Sequence, residues 1–365
     1  MSWSQRCTEH WFLRFRRISM LHAGIVRVQK NCPDLKAYMK KKKIIIIIIS
    51  LLVLLLTAFF SICVGRYRVA PSEVLQALLG HGSESTNLIV FKLRLPRIIC
   101  SILIGSALAI SGMVYQGLFQ NPLVSPDILG VSSGACVGAV ASIMLGFGSS
   151  LTMLFAFSAG ILSVAAAIIL SVLTKKRKNI VMVFSGIIIG RFMSSIVGIL
   201  IFFSDDESQL GAIIEWEMGS FAKVTSDDLI IFGPLLVICI LVLLLFRWRV
   251  NLISVGEEEA KALGVNVIRE RLLIICFATL ATAISVCVAG TIAWIGLIIP
   301  HICRWIIKDD NRYSMPLSVS LGAIALLLSD TIARSLLPYE LPLEVITGLV
   351  GAPVFAWIMV KRWRD

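Results

Sequence analysis

The sequence has little charge for its length. Charged residues make up 15% of its 365 residues, hydrophobic residues make up 58%, and the mean hydropathy is +0.90. A soluble globular chain carries about 25% charged and about 45–50% apolar residues. This composition excludes an ordinary soluble domain and predicts an integral membrane protein.

The motifs of zinc hydrolases and of nucleotide-binding enzymes are missing. HExxH does not occur, and no GxxxxGK[ST] loop could bind a nucleotide. Asp127, Asp330 and Arg191 are the strongest candidates for chemistry at membrane depth, and they are not paired carboxylates. We therefore predict that the chain is not an enzyme, and that any ATP hydrolysis occurs in a separate subunit.

Metal-binding patterns are also absent. The nine cysteines form no CxxC pair and have no histidine at ligand spacing, and most lie in apolar runs. Cysteine in such surroundings behaves as a small hydrophobic residue. We predict neither disulfides nor a metal site, and no cofactor bound by this chain.

Positive charge is concentrated at the amino terminus. Residues 1–43 contain eleven Lys and Arg against Glu9 and Asp34, which accounts for nine of the twelve net charges. A basic block before an apolar run is typical of a cytoplasmic anchor facing anionic lipid, and argues against nucleic-acid binding. Residues 1–38 are either a misassigned start or a disordered basic tail, and 39–365 are predicted to form one membrane domain.

Long apolar runs supply the membrane spans, each of which needs about 20 residues. Eight runs qualify: Ile44–Val64, Ile98–Phe119, Ile128–Phe147, Leu151–Leu173, Ile180–Phe203, Leu229–Phe246, Pro316–Leu337 and Leu341–Val360. The uncharged stretch between Arg271 and Arg304 is predicted to form a full span and a shorter one, broken near Gly290. Ten spans place the loops rich in Lys and Arg on the cytoplasmic side, where such loops are usual. The sequence therefore predicts an all-α protein with ten transmembrane helices and both termini cytoplasmic.

An internal match suggests a repeat. Arg97–Ser111 aligns with Arg271–Ser285, and five spans separate the two copies, so they enter the membrane from opposite sides. This pattern predicts an inverted repeat of spans 2–5 and 7–10, as transporters use for alternating access.

Glycine pairs at helical spacing occur in two spans. The GxxxG pairs at Gly130 and Gly134 and at Gly186 and Gly190 indicate either ordinary helix packing or an interface that rearranges.

Two segments between spans have distinctive local patterns. Asn121, Pro122 and Pro126 interrupt helix formation, so this segment is predicted to be a structured turn buried against other helices. In the loop at about 247–271, three glutamates follow Gly256, and Gly264 follows them. This spacing predicts a short helix, which is either a site for an ATPase to grip or a solvated surface helix.

These residues carry a resemblance to a known family. The loop is similar to the EAA-x3-G coupling loop of ABC importer permeases at Glu258, Glu259, Ala260 and Gly264, although the middle Ala is Glu here and the usual Ile-x-Leu-Pro is missing. Four further blocks resemble FecCD/BtuC-type permeases, which import ferric siderophores, haem or vitamin B12: "RLPR" (94–97), "SGMVYQGLFQNPLVSPDILGVSSGA" (111–135), "GTIAWIGLIIPHICR" (290–304) and "ELPLEVITGLVGAPVF" (340–355). The resemblance runs from about Lys43 to Lys361.

The resemblance implies a set of partners. It implies a second permease subunit, identical or not, and two cytoplasmic ATPases that use ATP and Mg and engage the coupling loop, including Leu263. It also implies an extracytoplasmic binding protein or lipoprotein that docks on Arg94, Arg97 and Arg334. The alternatives are that these arginines contact lipid headgroups, or that Asp330 pairs with Arg334 internally.

The resemblance also implies a pathway and structural motif residues. The fifth and tenth spans and an external helix at Ile213–Phe221 would line the pathway, with Trp216 and Gly219 in that helix. Arg191 departs from the family pattern and would either line the pathway or form an ion pair. The remaining motif residues are expected to be structural: Asn121, Pro122, Pro126, Gly130, Gly134, Pro300, His301, Gly351 and Pro353. For His301, this structural role is favoured over that of a haem ligand.

The resulting functional hypothesis is a plasma-membrane importer subunit. It would move ferric siderophore complexes into the cytoplasm by alternating access, with ATP used by the partner. The same machine carrying cobalamin, haem or an oxyanion is the nearest alternative. A more distant alternative is an ion-coupled secondary transporter that works alone.

Overall fold

The computed structural model describes residues 33–174, 179–204 and 207–364, which contain helices and no strand. The α-helices in chain order are α1 (Pro33–Cys63), α2 (Pro71–Leu78), α3 (Glu84–Asn87), α4 (Leu95–Leu118), α5 (Val131–Met144), α6 (Ser149–Leu173), α7 (Asn179–Phe202), α8 (Glu207–Glu217), α9 (Ser226–Leu245), α10 (Arg247–Val255), α11 (Glu257–Ala262), α12 (Val267–Ala289), α13 (Ile295–Ile307), α14 (Asn311–Ser335) and α15 (Leu343–Arg364). A π-helical stretch, Leu88–Arg94, leads into α4, and a 3₁₀ turn, Pro126–Leu129, precedes α5.

The described residues provide the ten predicted spans. Eight helices are long and apolar enough to cross a membrane, and the shorter apolar helices α5 and α13 complete the set. The uncharged run divides as predicted: α12 ends at Ala289, Gly290 has a φ of 71°, and α13 begins at Ile295. The predicted external helix at 213–221 is wrong in its bounds, because α8 covers Glu207–Glu217 and the chain turns at Gly219, where φ is 72°.

Helix lengths confirm the inverted repeat. Helices α4 to α7 contain 24, 14, 25 and 24 residues, and α12 to α15 contain 23, 13, 25 and 22. The first helices of the two sets are antiparallel: Ser111 Oγ donates to the Ala278 carbonyl, and one turn later Tyr115 Oη lies 3.5 Å from the carbonyl oxygen of Ile275. Each half therefore has one shortened helix in the same position.

Helix α4 lies at the centre of the bundle and is the most thoroughly buried candidate span. It packs on α14 through Gly105 and Gly322, where a Cβ on Gly105 would lie only 2.4 Å from the Gly322 carbonyl oxygen. Small residues permit this close approach of two backbones. In contrast, α7 and α15 are each only 22% buried, so most of their surface is available to lipid or to a partner.

Connections define the two ends of the bundle. Helices α10 and α11 lie near the carboxyl end of α4, since Val250 Cγ1 is 3.0 Å from the position of a Cβ on Gly117. We call this the coupling end and the opposite one the distal end. Residues 33–38, assigned from the sequence to the amino-terminal extension, are helical and continuous with α1, and the hypotheses about residues 1–32 lie outside the described residues.

Candidate functional site

A cavity of about 500 Å³ lies between the two interrupted segments of the repeat. Residues 125–127 line one side and 291–297 line the other. The segments touch, because a Cβ on Gly296 would lie 2.2 Å from Pro126 Cγ. Each half of the repeat contributes one of these segments, so the cavity lies where the two halves meet, as substrate sites of inverted-repeat transporters do.

Left-handed backbone marks the ends of both interrupted segments. Gln120 and Gly130 bound the first segment with φ values of 51° and 79°, and Gly290 and Trp294 bound the second with 71° each. A positive φ is uncommon for residues other than glycine and costs about 1–3 kcal/mol at such positions. The first segment is buried or half-buried from Val124 onward, whereas Asn121 and Pro122 are exposed, so the predicted buried turn holds only for its second half.

Gln116 joins the two segments. Its Nε2 donates to the Val124 carbonyl at 3.1 Å and to the Leu297 carbonyl at 3.2 Å. Its Oε1 accepts from Arg304 Nη1 at 2.5 Å. The side chain is buried, so these bonds satisfy an amide that would otherwise be costly in α4. Gln116 was not predicted from the sequence, although a lone amide within an apolar span indicates a buried hydrogen-bonding role.

A second cavity, of about 480 Å³, shares residues Ser125, Asp127, Ser133 and Ser194 with the first. The predicted GxxxG residues Gly186 and Gly190 lie on its α7 wall. A Cβ on Gly186 would approach the Ile128 carbonyl oxygen to 2.1 Å, so glycine is required for this contact. Gly134 similarly lets α5 approach Ser163 of α6, where a Cβ would lie 2.4 Å from Ser163 Cβ.

Arg191 lies on the wall of this second cavity. Arg191 is exposed, and it forms no ion pair with any residue that the structure describes. Asp127, on the opposite wall, uses Oδ1 to accept the Ser132 backbone N–H at 2.7 Å. A cation in a membrane-spanning helix requires water or protein neighbours, so this position fits the expected pathway residue. A pathway role remains a prediction.

The distal rim of the first cavity joins three elements. Leu343 N donates to the Gly219 carbonyl at 3.0 Å, and Ser220 N donates to the Ala289 carbonyl at 2.9 Å. Glu217 and Glu344 line the cavity there, and Thr291 Oγ1 lies 3.3 Å from Glu344 Oε2.

Trp216 is not among the residues that line the first cavity, although Glu217 beside it is. It lines a neighbouring cavity of about 380 Å³ formed with residues of α6 and α12. A Cβ on Gly290 would lie 2.2 Å from the Trp216 carbonyl oxygen, so the end of α8 packs directly on the break after α12. The structure therefore places Gly219 and Trp216 at the distal rim, and leaves their pathway role a prediction.

The three arginines predicted to dock a binding protein converge at the distal end, but they are buried. Arg97 bonds Asp330 Oδ1 at 2.7 Å and Glu340 at 2.9 and 3.0 Å. Arg334 pairs with Asp330 at 3.5 Å and donates to Ser61, which is the internal pairing named above as an alternative to docking. Their guanidinium groups are therefore engaged inside this chain.

Arg94 has a different set of partners. It donates to the backbone carbonyls of Ile62 and Tyr67, which anchors the chain after α1 to the start of α4. The neighbouring cations Arg66, Arg68 and Lys92 are exposed at the same end. Direct docking through the buried arginines remains a prediction that would require these internal bonds to be exchanged.

The short helix predicted after Gly256 is present as α11. Gly264 N donates to the Lys261 carbonyl and Val265 N donates to the Ala260 carbonyl, and Gly264 has a φ of 79°. These two bonds are the Schellman arrangement that ends helices at glycine. Ala260 is buried, whereas Leu263, Glu258 and Glu259 project to the surface.

Ion pairs join both α10 and α11 to α12. Arg271 lies 2.5 Å from Glu257, and Arg249 of α10 bonds Glu270. On the exposed face, a hydrogen bond and the negative charge of Glu258 raise the pKa of Lys261. The loop thus presents a preformed helix with an apolar tip.

The remaining motif residues pack between α13 and α15. The His301 ring is buried and stacks on Phe355, with centroids 5.2 Å apart. A Cβ on Gly351 would lie 2.8 Å from Trp294 Cβ, and Pro300 and Pro353 lie inside their helices. Among the described residues, no group of three or more His, Cys, Asp or Glu is arranged to bind a metal ion. This packing favours a structural role for His301.

Comparison with known proteins places this architecture in a family of transporters. The chain is 36% identical to the molybdate import system permease MolB of Haemophilus influenzae over 84% of this chain and 93% of that protein. It is 37% identical to the hemin transport permease HmuU of Yersinia pestis over 74% and 82% of the two chains. A probable iron chelatin permease of Helicobacter pylori is 35% identical over 77% and 86%.

Solved structures agree with the sequence comparisons. An inward-facing structure described as a metal-chelate type ABC transporter matches 87% of this chain and 99% of its own, with a TM-score of 0.79 and 35% identity. Residues 52–361 match the FecCD transport family. The chain belongs to the FecCD transport family of ABC importer permeases.

Proposed function

We propose that the chain is the pathway subunit of an importer for ferric siderophore complexes, driven by a separate ATPase. The observation that carries this proposal is the pair of adjoining cavities, of about 500 and 480 Å³, that share Ser125, Asp127, Ser133 and Ser194. Sites for ligands of drug-like size occupy about 300–1,000 Å³. A second copy facing this one would enlarge the space to suit a bulky chelate.

A partner permease would complete the pathway. Helices α7 and α15 are among the least buried candidate spans, and α7 carries Arg191 and part of the second cavity wall. An exposed arginine in a membrane span facing lipid would cost about 2.5–3.5 kcal/mol on insertion scales. We infer that α7 and the distal half of α15, which begins beside Glu344 at the rim of the first cavity, face the second permease across an aqueous pathway.

The ATPase would engage α11. Exposed Leu263 beside Glu258 and Glu259 provides an apolar contact with a charged rim, and the ion pairs to α12 would transmit a push from α11 to the cavity wall. Helix α12 runs from this contact to the break at Gly290. Closure of the ATPases would therefore act on the segment that lines the cavity, which is how alternating access would be driven.

An oxyanion is the second candidate cargo. Arg191 favours an anionic ligand, and the relative from Haemophilus influenzae is named for molybdate import. Glu217 and Glu344 at the distal rim oppose this, because carboxylates repel a small anion that must pass close to them. A large chelate would contact the rim through its ligand shell instead. Haem and cobalamin are further candidate cargoes, because relatives are named for hemin transport and for vitamin B12 import.

Competitive uptake tests the cargo. Cells expressing the complete importer should accumulate iron-55 from a ferric siderophore, and excess molybdate should not reduce that uptake. Molybdate-99 accumulation that exceeds iron uptake and is unaffected by siderophores would instead establish the oxyanion. Cells that lack the importer serve as the reference without transport.

A further inference from the structure

A cavity of about 330 Å³ lies between the carboxyl ends of α13 and α15, apart from the two cavities described above. It is at the coupling end: Asn251 Nδ2 of α10 donates to Asp310 Oδ1 at 3.1 Å, directly after the loop that follows α13. Its walls combine three cations with two tryptophans, Trp305 and Trp357. These residues line neither of the two cavities described above and lie outside the coupling loop.

The charge of this cavity is strongly positive. Arg304, Lys308 and Lys361 line it, with Asp309 as its one carboxylate. Asp309 is 80% exposed and lies 3.7 Å from Arg304. Neither lysine forms an ion pair with any residue whose side chain the structure describes. Two ammonium groups are therefore available to an external anion.

The tryptophans hold one of these ammonium groups in place. Lys361 Nζ lies 4.7 Å from the Trp305 ring centroid and 5.1 Å from that of Trp357. The two indoles are perpendicular, with centroids 5.7 Å apart. Cation–π contact with both rings restricts the lysine side chain, so less entropy is lost when an anion binds to it.

The surroundings indicate a lipid rather than a soluble anion. Trp305 and Trp357 are 60% and 53% exposed, and the neighbouring Ile306 and Val360 are exposed as well. Tryptophan is enriched at the membrane–water boundary, where its ring lies beside the lipid headgroups. Basic pockets between helices on the cytoplasmic side bind anionic headgroups. A phosphate ion would use the cations but would gain nothing from the apolar rim.

We propose that this cavity binds an anionic phospholipid of the inner leaflet, with Lys308 and Lys361 contacting the phosphate and Trp305 and Trp357 contacting the glycerol and upper acyl region. The site lies beside His301 and Phe355, which pack α13 on α15. Bound lipid would therefore stabilise the packing of these two helices at the coupling end.

Native mass spectrometry of the purified permease, titrated with phosphatidylglycerol or phosphatidylcholine, tests the proposal. We expect phosphatidylglycerol to bind in preference, and a variant with Lys308→Ala and Lys361→Ala to bind it roughly tenfold more weakly or worse, because two surface cations are lost. Arg269→Ala removes another exposed cation near the coupling end and should leave the affinity unchanged. Both lysines are exposed, so the double variant should elute as the parent does in size-exclusion chromatography.

Three results would overturn the proposal. The first is equal phosphatidylglycerol affinity in the double variant and the parent. The second is displacement of the lipid by inorganic phosphate at millimolar concentration, which would show a simple anion site. The third is complete loss of bound lipid when the ATPase or a second permease copy joins, which would show that the cavity belongs to a subunit interface. None of these outcomes depends on the cargo.

Discussion

Arg97 and Asp330 form a buried ion pair that joins the beginning of α4 to the end of α14, with Arg97 Nε 2.7 Å from Asp330 Oδ1. Asp330 is fully buried and also lies 3.5 Å from Arg334. One carboxylate thus balances two guanidinium groups, with Glu340 as a partly exposed fourth member. Arg97 and Arg334 are therefore held inside the chain in this conformation.

Removing Asp330 should destabilise the protein strongly. Asp330→Ala leaves Arg97 and Arg334 buried beside each other without their shared counterion, and breaking a buried pair in this way costs about 3–5 kcal/mol. Thermal unfolding in detergent should show a large loss of stability. Glu340→Gln, which alters the more exposed partner of Arg97, should have a much smaller effect. Equal stability of the two variants would contradict the assigned importance of Asp330.

Gly296 should tolerate no side chain. A Cβ there would lie 2.2 Å from Pro126 Cγ and 2.9 Å from the Leu108 carbonyl oxygen, so Gly296→Ala must separate the two interrupted segments. Overpacking of this kind costs about 1–3 kcal/mol. We expect reduced thermal stability and reduced transport. The matched control is Gly198→Ala in α7, where no heavy atom lies within 4 Å, and normal uptake by Gly296→Ala would contradict the proposed contact.

The apolar tip of the coupling loop should bind the ATPase. Leu263 is 67% exposed directly after α11, so Leu263→Ser removes apolar contact area without leaving a cavity in this chain. We expect weaker co-purification of the ATPase and unchanged thermal stability of the permease. Ile268→Ser, at a residue 60% exposed in α12, provides a control of similar size. If both variants retained the ATPase equally, α11 would not be the contact.

Acid should weaken the start of α14. Burial opposes ionisation of Asp310, but hydrogen bonds from Arg312 and Asn251 prevail and hold its pKa below the usual range. A carboxyl whose folded-state pKa is lowered stabilises the protein above its unfolded pKa, about 3.9, and loses that contribution as the pH falls through the folded-state value. The loss of stability below about pH 4 should therefore be smaller in Asp310→Asn, which can still cap the helix. Parallel stability curves of the two proteins against pH would contradict this assignment.

The sequence predicted the features that depend on local pattern. Apolar run length and loop charge gave the ten spans, Gly290 marked the break after α12, and Gly264 marked the end of α11, because each of these follows from residues near in sequence. The inverted repeat was visible only as a short match between α4 and α12. Helix lengths then confirmed it.

Contacts between distant parts of the chain were not predictable. The environment of Arg97 depends on Asp330 and Glu340, more than 200 residues away, so a basic motif that suggested an exposed docking surface is instead buried. Gln116 makes its bonds to Leu297 and Arg304 for the same reason. The bounds of α8 were wrong although Gly219, like Gly264, was a local signal for the end of a helix.

Reconstitution with and without the ATPase tests the central claim most directly. Proteoliposomes containing the permease and its ATPase, supplied with the substrate-loaded binding protein, should accumulate ferric siderophore only when ATP and Mg are present on the ATPase side. Permease alone should transport nothing, even when a proton or sodium gradient is imposed. Accumulation driven by such a gradient in the absence of ATPase would contradict the account and establish an autonomous secondary transporter.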